Sequence, residues 1–252
     1  MKIFLAGTCT RQYCVRDHID TVRPYILESF YYIDDVFEKM IPLFGDFLLD
    51  SGAFTFCGTG GFDSKRFEEY IEKYADFINR NKIKNFFELD VDSIVGYDKV
   101  LEYRKKLEKL TCKQCIPVWH ISRGKNEFIK HCQEYSYVAL GGYVAAIKAN
   151  DPRQKAYVKA YPWFIKQAHE YNSKIHGLGF TSLKGLENCH FDSVDSTAWT
   201  TGNRFGHIYK FDGKTMKKID CPVGKRLSDA RNFALINYIE WIKFQKYADS
   251  HL

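Results

Sequence analysis

The chain has 252 residues, enough for one large core or two small domains. Its 45% hydrophobic and 27% charged content is ordinary for a globular protein, and no apolar run approaches the roughly 18 residues of a membrane span. A net charge of +6 and a pI near 8.7 permit a polyanionic partner without reaching the level of a dedicated nucleic-acid-binding domain.

In chain order, short apolar runs that end in small or acidic residues alternate with amphipathic stretches. KIFLAG (2–7) reads as a first strand; it is too short for a signal h-region and a charged stretch follows, so a cytoplasmic location is expected. ESFYYI (28–33) is a candidate second strand, and FLLDSG (47–52) is a clear one. Residues 64–82 place Phe67, Tyr70, Ile71, Tyr74, Phe77 and Ile78 on one helical face, with Ser64 as the expected N-cap. Further strands are expected at NFFELDVD (85–92), CIPVWHIS (115–122), YVALGG (137–142), KIHGLGF (174–180) and HFDSVDST (190–197). Helices are expected between them at 97–110, 126–135 and 153–171, the last kinked or divided at Pro162, and a final helix at 226–248.

Near-continuous hydrophobic strands separated by helices mark a parallel sheet covered on both faces. Seven strands are clear, and 28–33 would supply an eighth and close a barrel. An open doubly wound sheet competes, but no G-x-G-x-x-G follows the first strand. The expectation is therefore an α/β, (β/α)8-type barrel in one domain, with its C-terminal helix on the outside. The motif-bearing core spans about 45–200, and 200–252 form a C-terminal extension.

The eight cysteines are scattered, so free thiols are expected. Cys112 and Cys115 have C-x-x-C spacing with His131 and Cys132 beyond, but the adjacent second pair is poor geometry for zinc, and no metal or cofactor is expected.

Polar residues cluster at the C-terminal ends of these strands: Asp50, Asp90, Asp92, His120, Gly141, Gly142, Gly179, Asp192 and Asp195. In a parallel barrel those ends converge on one face, where the βα loops build an active site. A carboxylate there loses hydration, which costs several kcal/mol unless a partner or ligand compensates.

The ordered motifs resemble the tRNA-guanine transglycosylases. FLLDSGAF (47–54) looks like the strand carrying that family's acid/base aspartate, and LGGY (140–143) like its base-binding loop. HGLGF (176–180) is similar to its Gly-x-Gly strand end, and VDSTAW (194–199) to the strand of its nucleophilic aspartate. The resemblance implies a barrel that exchanges guanine in nucleic acid for a 7-deazaguanine such as preQ0, through a covalent aspartyl-glycosyl intermediate. Carried over by position, Asp195 would be the nucleophile and Asp50 the general acid/base. Ser51, Gly52, Phe54, Asp90, His120, Gly141, Gly142 and His176 would line the base pocket, with Phe54 stacking and Asp90 reading the Watson–Crick edge. Arg204, in the Gly-rich TTGNRFGHIYK (200–210), would contact the nucleic-acid backbone, with GTGGF (58–62) at the same rim. Lys217, Lys218, Lys225, Arg226 and Arg231 would widen the basic surface, or form a solvated face.

After residue 200 only Cys221 remains, so the family's C-terminal zinc site is absent from the sequence. In this the chain looks more like the short phage and genomic-island relatives that place 7-deazaguanines into DNA. DNA is therefore expected in preference to tRNA, with the free deazaguanine base as the second substrate and no membrane partner. FDSVDST leaves two nucleophile candidates three residues apart, which point to opposite faces of a regular strand. Asp195 keeps the closing aromatic Trp199 and the better distance from Gly179; Asp192 is the alternative, otherwise helix-facing or salt-bridged. Other readings are a tRNA enzyme, a different barrel hydrolase or glycosidase, and a non-catalytic base-binding barrel.

Overall fold

The computed structural model describes residues 1–18, 22–58, 62–141, 152–180, 189–202, 206–220 and 230–252. Eight parallel strands, β1 (Lys2–Ala6), β2 (Tyr25–Ser29), β3 (Asp46–Asp50), β4 (Asn85–Phe86), β5 (Val118–Trp119), β6 (Tyr137–Leu140), β7 (Lys174–Gly177) and β8 (Ser193–Ser196), lie in the order 4-3-2-1-8-7-6-5. A parallel bridge between Phe87 and Ile116 joins the two ends of that order. Ile116 N–H donates to the Phe86 carbonyl at 2.8 Å, and Glu88 N–H to the Ile116 carbonyl at 3.0 Å. The fold is a TIM-type (β/α)8 barrel.

Alternation along each strand sorts the apolar residues into two layers. Phe4, Ala6, Leu27, Leu48, Phe87, Ile116, Val118 and Ala139 fill the barrel interior. Their neighbours Ile3, Leu5, Ile26, Leu49, Phe86, Trp119, Val138, Leu140, Ile175 and Val194 face the surrounding helices.

Those helices include α1 (Gln12–Arg16), α2 (Asp35–Met40), α3 (Ala53–Gly58), α4 (Ser64–Arg80), α5 (Asp92–Val95), α6 (Tyr97–Thr111), α7 (Gly124–Glu134), α8 (Pro152–Glu170) and α9 (Ala230–His251). The six expected apolar residues of α4 are all buried. Its N-cap is Asp63 rather than Ser64: the Asp63 carboxylate accepts the Arg66 amide at 2.7 Å, and an ionised acceptor suits the positive helix start.

Three further expectations are corrected. The second strand ends at Ser29, because Phe30 turns away to pack on Tyr70, Tyr74 and Phe77 of α4, at ring separations of 5.2–5.4 Å. Helix α8 runs unbroken through Pro162. An interior proline costs about 3 kcal/mol. Anchored rings on either side, each worth about 1.5–3 kcal/mol when buried, offset it. Tyr161 packs on Phe180 and Phe191, and Phe164 on Trp119 and Phe128. Finally, part of the expected 200–210 loop is strand β9 (His207–Phe211), which pairs antiparallel with β10 (Met216–Asp220) in a separate hairpin. The hairpin hangs on α9, whose Asn237 Oδ1 and Glu240 Oε2 accept the Tyr209 and Phe211 amides at 2.7 and 2.8 Å.

Helix α9 covers β1, whose own following helix has only five residues. Buried Gln245 stitches it down, donating to the carbonyls of Ile3 (2.6 Å) and Tyr25 (3.0 Å) and accepting the Tyr25 amide (3.1 Å). Among the described residues no helix is long and apolar enough to cross a membrane.

Candidate active site

Interior positions at the C-terminal ends of the strands carry Asp50 on β3, His120 after β5, Gly141 after β6, His176 on β7 and Asp195 on β8. Each is two residues from an apolar or small interior residue of the same strand or is fixed there by its contacts, so the strand period aims them together.

Asp50 accepts the Gly52 amide at 3.0 Å. Burial pushes its carboxyl up to about 6. The Gly52 amide opposes that shift, while the negative charges of Asp90 and Asp195 add to it. Gly52 sits at φ +63°, and a Cβ there would come within 2.4 Å of Ser29 Oγ and 2.7 Å of Tyr31 Cβ, so the turn requires glycine. Two buried α4 tyrosines brace this strand end: Tyr70 donates to the Ser51 carbonyl at 2.6 Å, and Tyr74 to the Leu49 and Phe87 carbonyls at 3.2 and 3.0 Å. Ser51 is buried, with Oγ accepting the Ala53 amide at 3.4 Å. Phe54 is 64% exposed in the first turn of α3.

Across β2 and β1 from Asp50 lies Asp195, whose side chain is only 9% exposed. Its Oδ1 accepts the Gly179 amide at 2.7 Å and faces His176 Nε2 at 3.2 Å. Gly179 has φ +65°, the turn that swings its N–H inward. His176 has no exposed surface. It is enclosed by Phe4 and Phe87, and its Nδ1 lies 2.5 Å from Ser193 Oγ. That location beneath Asp195 leaves no face to stack on a base. Asp192 lies at the opposite end of β8 and points outward: its Oδ2 accepts the Ile175 amide at 2.8 Å and meets His169 Nε2 of α8 at 3.0 Å. Of the two strand aspartates, only Asp195 is at the mouth.

Asp90 Oδ1 lies 2.7 Å from His120 Nε2. Burial disfavours the imidazolium, but the Asp90 hydrogen bond and charge outweigh it, and the His120 pKa is raised. A Cβ on Gly141 would fall 2.3 Å from His120 Cε1 and 2.9 Å from the Trp119 carbonyl, so this position must lack a side chain for the ring to lie there.

Asp92 belongs to a structural network that the strand pattern did not single out. Arg123 grips Asp92 through Nε and Nη2 at 2.7 and 2.5 Å and reaches Glu88 Oε1 at 2.9 Å. Arg104 Nε donates to Glu88 Oε2 at 2.6 Å, and the Val118 amide to Oε1 at 2.7 Å. The two arginines hold the fully buried Glu88 carboxyl below the usual range against the cost of its burial. The sequence signal was present in the alternation of ELDVD, where Glu88 falls on the helix-facing side. His131 belongs to this network too, 3.3 Å from Arg104 Nη1 and 3.1 Å from the Tyr97 hydroxyl; burial and both arginines push it down to about 3. Cys115 and Cys132 are buried and Cys112 is exposed, and among the described residues no three His, Cys, Asp or Glu side chains gather as a metal-ligand set.

Gly142, Tyr143, Arg204, Lys225, Arg226 and the centre of GTGGF lie outside the described residues. Lys217, Lys218 and Arg231 pair with Asp212, Asp220 and Asp17 at 3.1, 3.0 and 3.8 Å. The sequence matches no protein-family model and no curated protein.

Proposed function

We propose that this protein is a base-exchange transglycosylase that replaces guanine in nucleic acid, DNA in preference to tRNA, with a 7-deazaguanine such as preQ0. One observation carries the reading: two carboxylates meet in one barrel mouth in contrasting settings. Asp50 is half-buried and desolvation lets it retain a proton up to about 6, while Asp195 accepts an amide and faces an imidazole on one oxygen. Paired carboxylates with divided roles are the requirement of a double displacement at a sugar carbon. The motif order of the strand ends supplies the substrate class.

In this mechanism Asp195 attacks C1′ of the target nucleoside. The C1′–N9 bond breaks, its electron pair goes to the base, and Asp50 donates the proton that lets guanine leave. Asp50 then takes the N9 proton of the incoming deazaguanine, whose N9 attacks C1′ and releases the Asp195 carboxylate. Two inversions retain configuration, and one N-glycosidic bond replaces another without energy input. The base must first leave the stack, at a cost of a few kcal/mol in a duplex, and exposed Phe54 offers it a new ring to stack on. Asp90 and His120 would meet its polar edge.

The test is exchange of labelled guanine and of candidate 7-deazaguanines into duplex DNA and tRNA. Asp195→Asn should abolish exchange and the trapped covalent adduct, while Asp192→Asn should retain both. Full exchange in both variants would remove Asp195 from the role, an adduct on Asp50 would reverse the pair, and exchange into tRNA alone would replace DNA as the substrate.

A further inference from the structure

We infer that His176 is the positioning residue of Asp195: as the Nε2–H tautomer it fixes Oδ1 and leaves Oδ2 as the oxygen that bonds to substrate. The inference rests on the proposed reading, in which Asp195 carries the covalent step.

A line of hydrogen-bonding groups descends through the barrel interior. Asp195 Oδ1 faces His176 Nε2 at 3.2 Å, His176 Nδ1 faces Ser193 Oγ at 2.5 Å, and Ser193 Oγ contacts the Tyr137 hydroxyl. Its direction follows from the ends. The nucleophile of the proposed mechanism is a carboxylate, against which a bare Nε2 would set lone pair against lone pair, so Nε2 carries hydrogen and, in the Nε2–H tautomer, Nδ1 accepts. Ser193 then donates to Nδ1, and its oxygen accepts from Tyr137. Burial pushes the Tyr137 phenol well up, which keeps it a donor. Phe4 and Phe87, with ring centroids 6.2 and 5.5 Å from the imidazole, prevent the ring from turning aside.

The consequence is an asymmetric carboxylate. Both donors, the Gly179 amide and His176 Nε2, converge on Oδ1, and among the described residues no donor reaches Oδ2. Oδ2 therefore forms the bond to C1′ as the C1′–N9 pair departs with the base. Oδ1 becomes the ester carbonyl and keeps both donors. When the second base attacks, the C1′–Oδ2 pair returns to a carboxylate that those donors stabilise.

The experiment combines nitrogen-15 NMR of His176 with kinetics of four variants. The wild-type spectrum should show a neutral ring with a protonated Nε2, and Ser193→Ala and Tyr137→Phe should keep that tautomer, because Asp195 still faces Nε2. His176→Phe, which keeps a ring without an N–H, should lower kcat about 100-fold with KM within about twofold. His176→Gln, which restores a donor, should recover to within about tenfold of wild type, at unfolding midpoints matched to His176→Phe. A neutral ring with bare Nε2, wild-type kcat in His176→Phe, or equal losses in the Phe and Gln variants would each overturn the inference. A wild-type protein without exchange activity would instead sink the transglycosylase reading, while the tautomer would still decide how Asp195 is held.

Discussion

His120 Nε2 lies 2.7 Å from Asp90 Oδ1, in a pair that stays half-open to solvent at the barrel mouth. The imidazole is disfavoured as a cation by burial and favoured by Asp90, and the second effect wins. A histidine with a raised folded pKa contributes stability that is complete below its unfolded value, about 6.5, and is lost as pH rises through the folded value. Asp90→Asn should therefore bring the His120 midpoint down in a proton NMR titration. The stability gap between wild type and variant should be larger at acidic than at alkaline pH.

The ring's position depends on the absence of a side chain at residue 141. Gly141→Ala places a methyl 2.3 Å from His120 Cε1, with the Trp119 carbonyl behind it. Relief requires the imidazole to leave Asp90 or the β6 end to shift, and overpacking of this kind costs about 1–3 kcal/mol. Urea unfolding should show that loss, and under the proposed function calorimetry should show weakened binding of the free deazaguanine base.

Asp50 has the opposite pH sign from an ordinary paired carboxylate. Its folded value, about 6, exceeds the unfolded one, so between about 4 and 6 the folded chain holds the extra proton and stability falls as pH rises. Asp50→Asn removes that cost. The variant should be more stable than wild type by about 2–3 kcal/mol above pH 7 or so, with no difference below about pH 4, in denaturant titrations across that range. A gap that widened toward acid would contradict the assigned direction.

Glu88 is compensated by two arginines on different elements, so the loss of one partner should be costly. Arg104→Ala should destabilise by about 3–5 kcal/mol, because a buried carboxylate is left underpaired. Replacing Glu88 and Arg104 together with apolar residues of similar size should recover much of that loss. A double variant no more stable than Arg104→Ala, measured by urea unfolding, would show that the network does more than neutralise charge.

The sequence by itself determined the barrel class and the places of seven of its strands. Parallel strands buried on both faces must be apolar along their length, so a carboxylate such as Asp50 or Asp195 at a run's end stands out, and the α4 face is equally plain because helix period and burial coincide. Tertiary structure decided what depends on a partner distant in the chain. The eighth strand is Tyr25–Ser29 because Phe30 finds three rings on α4, and Pro162 stays helical because rings on other elements hold both its flanks. Asp192 and Asp195 look alike in FDSVDST, yet one meets His169 outside the barrel and the other meets Gly179 and His176 inside. His176 reads as a pocket residue from its motif, but it is buried under the carboxylate it holds, because strand alternation fixes the face and only barrel closure fixes what lies across it.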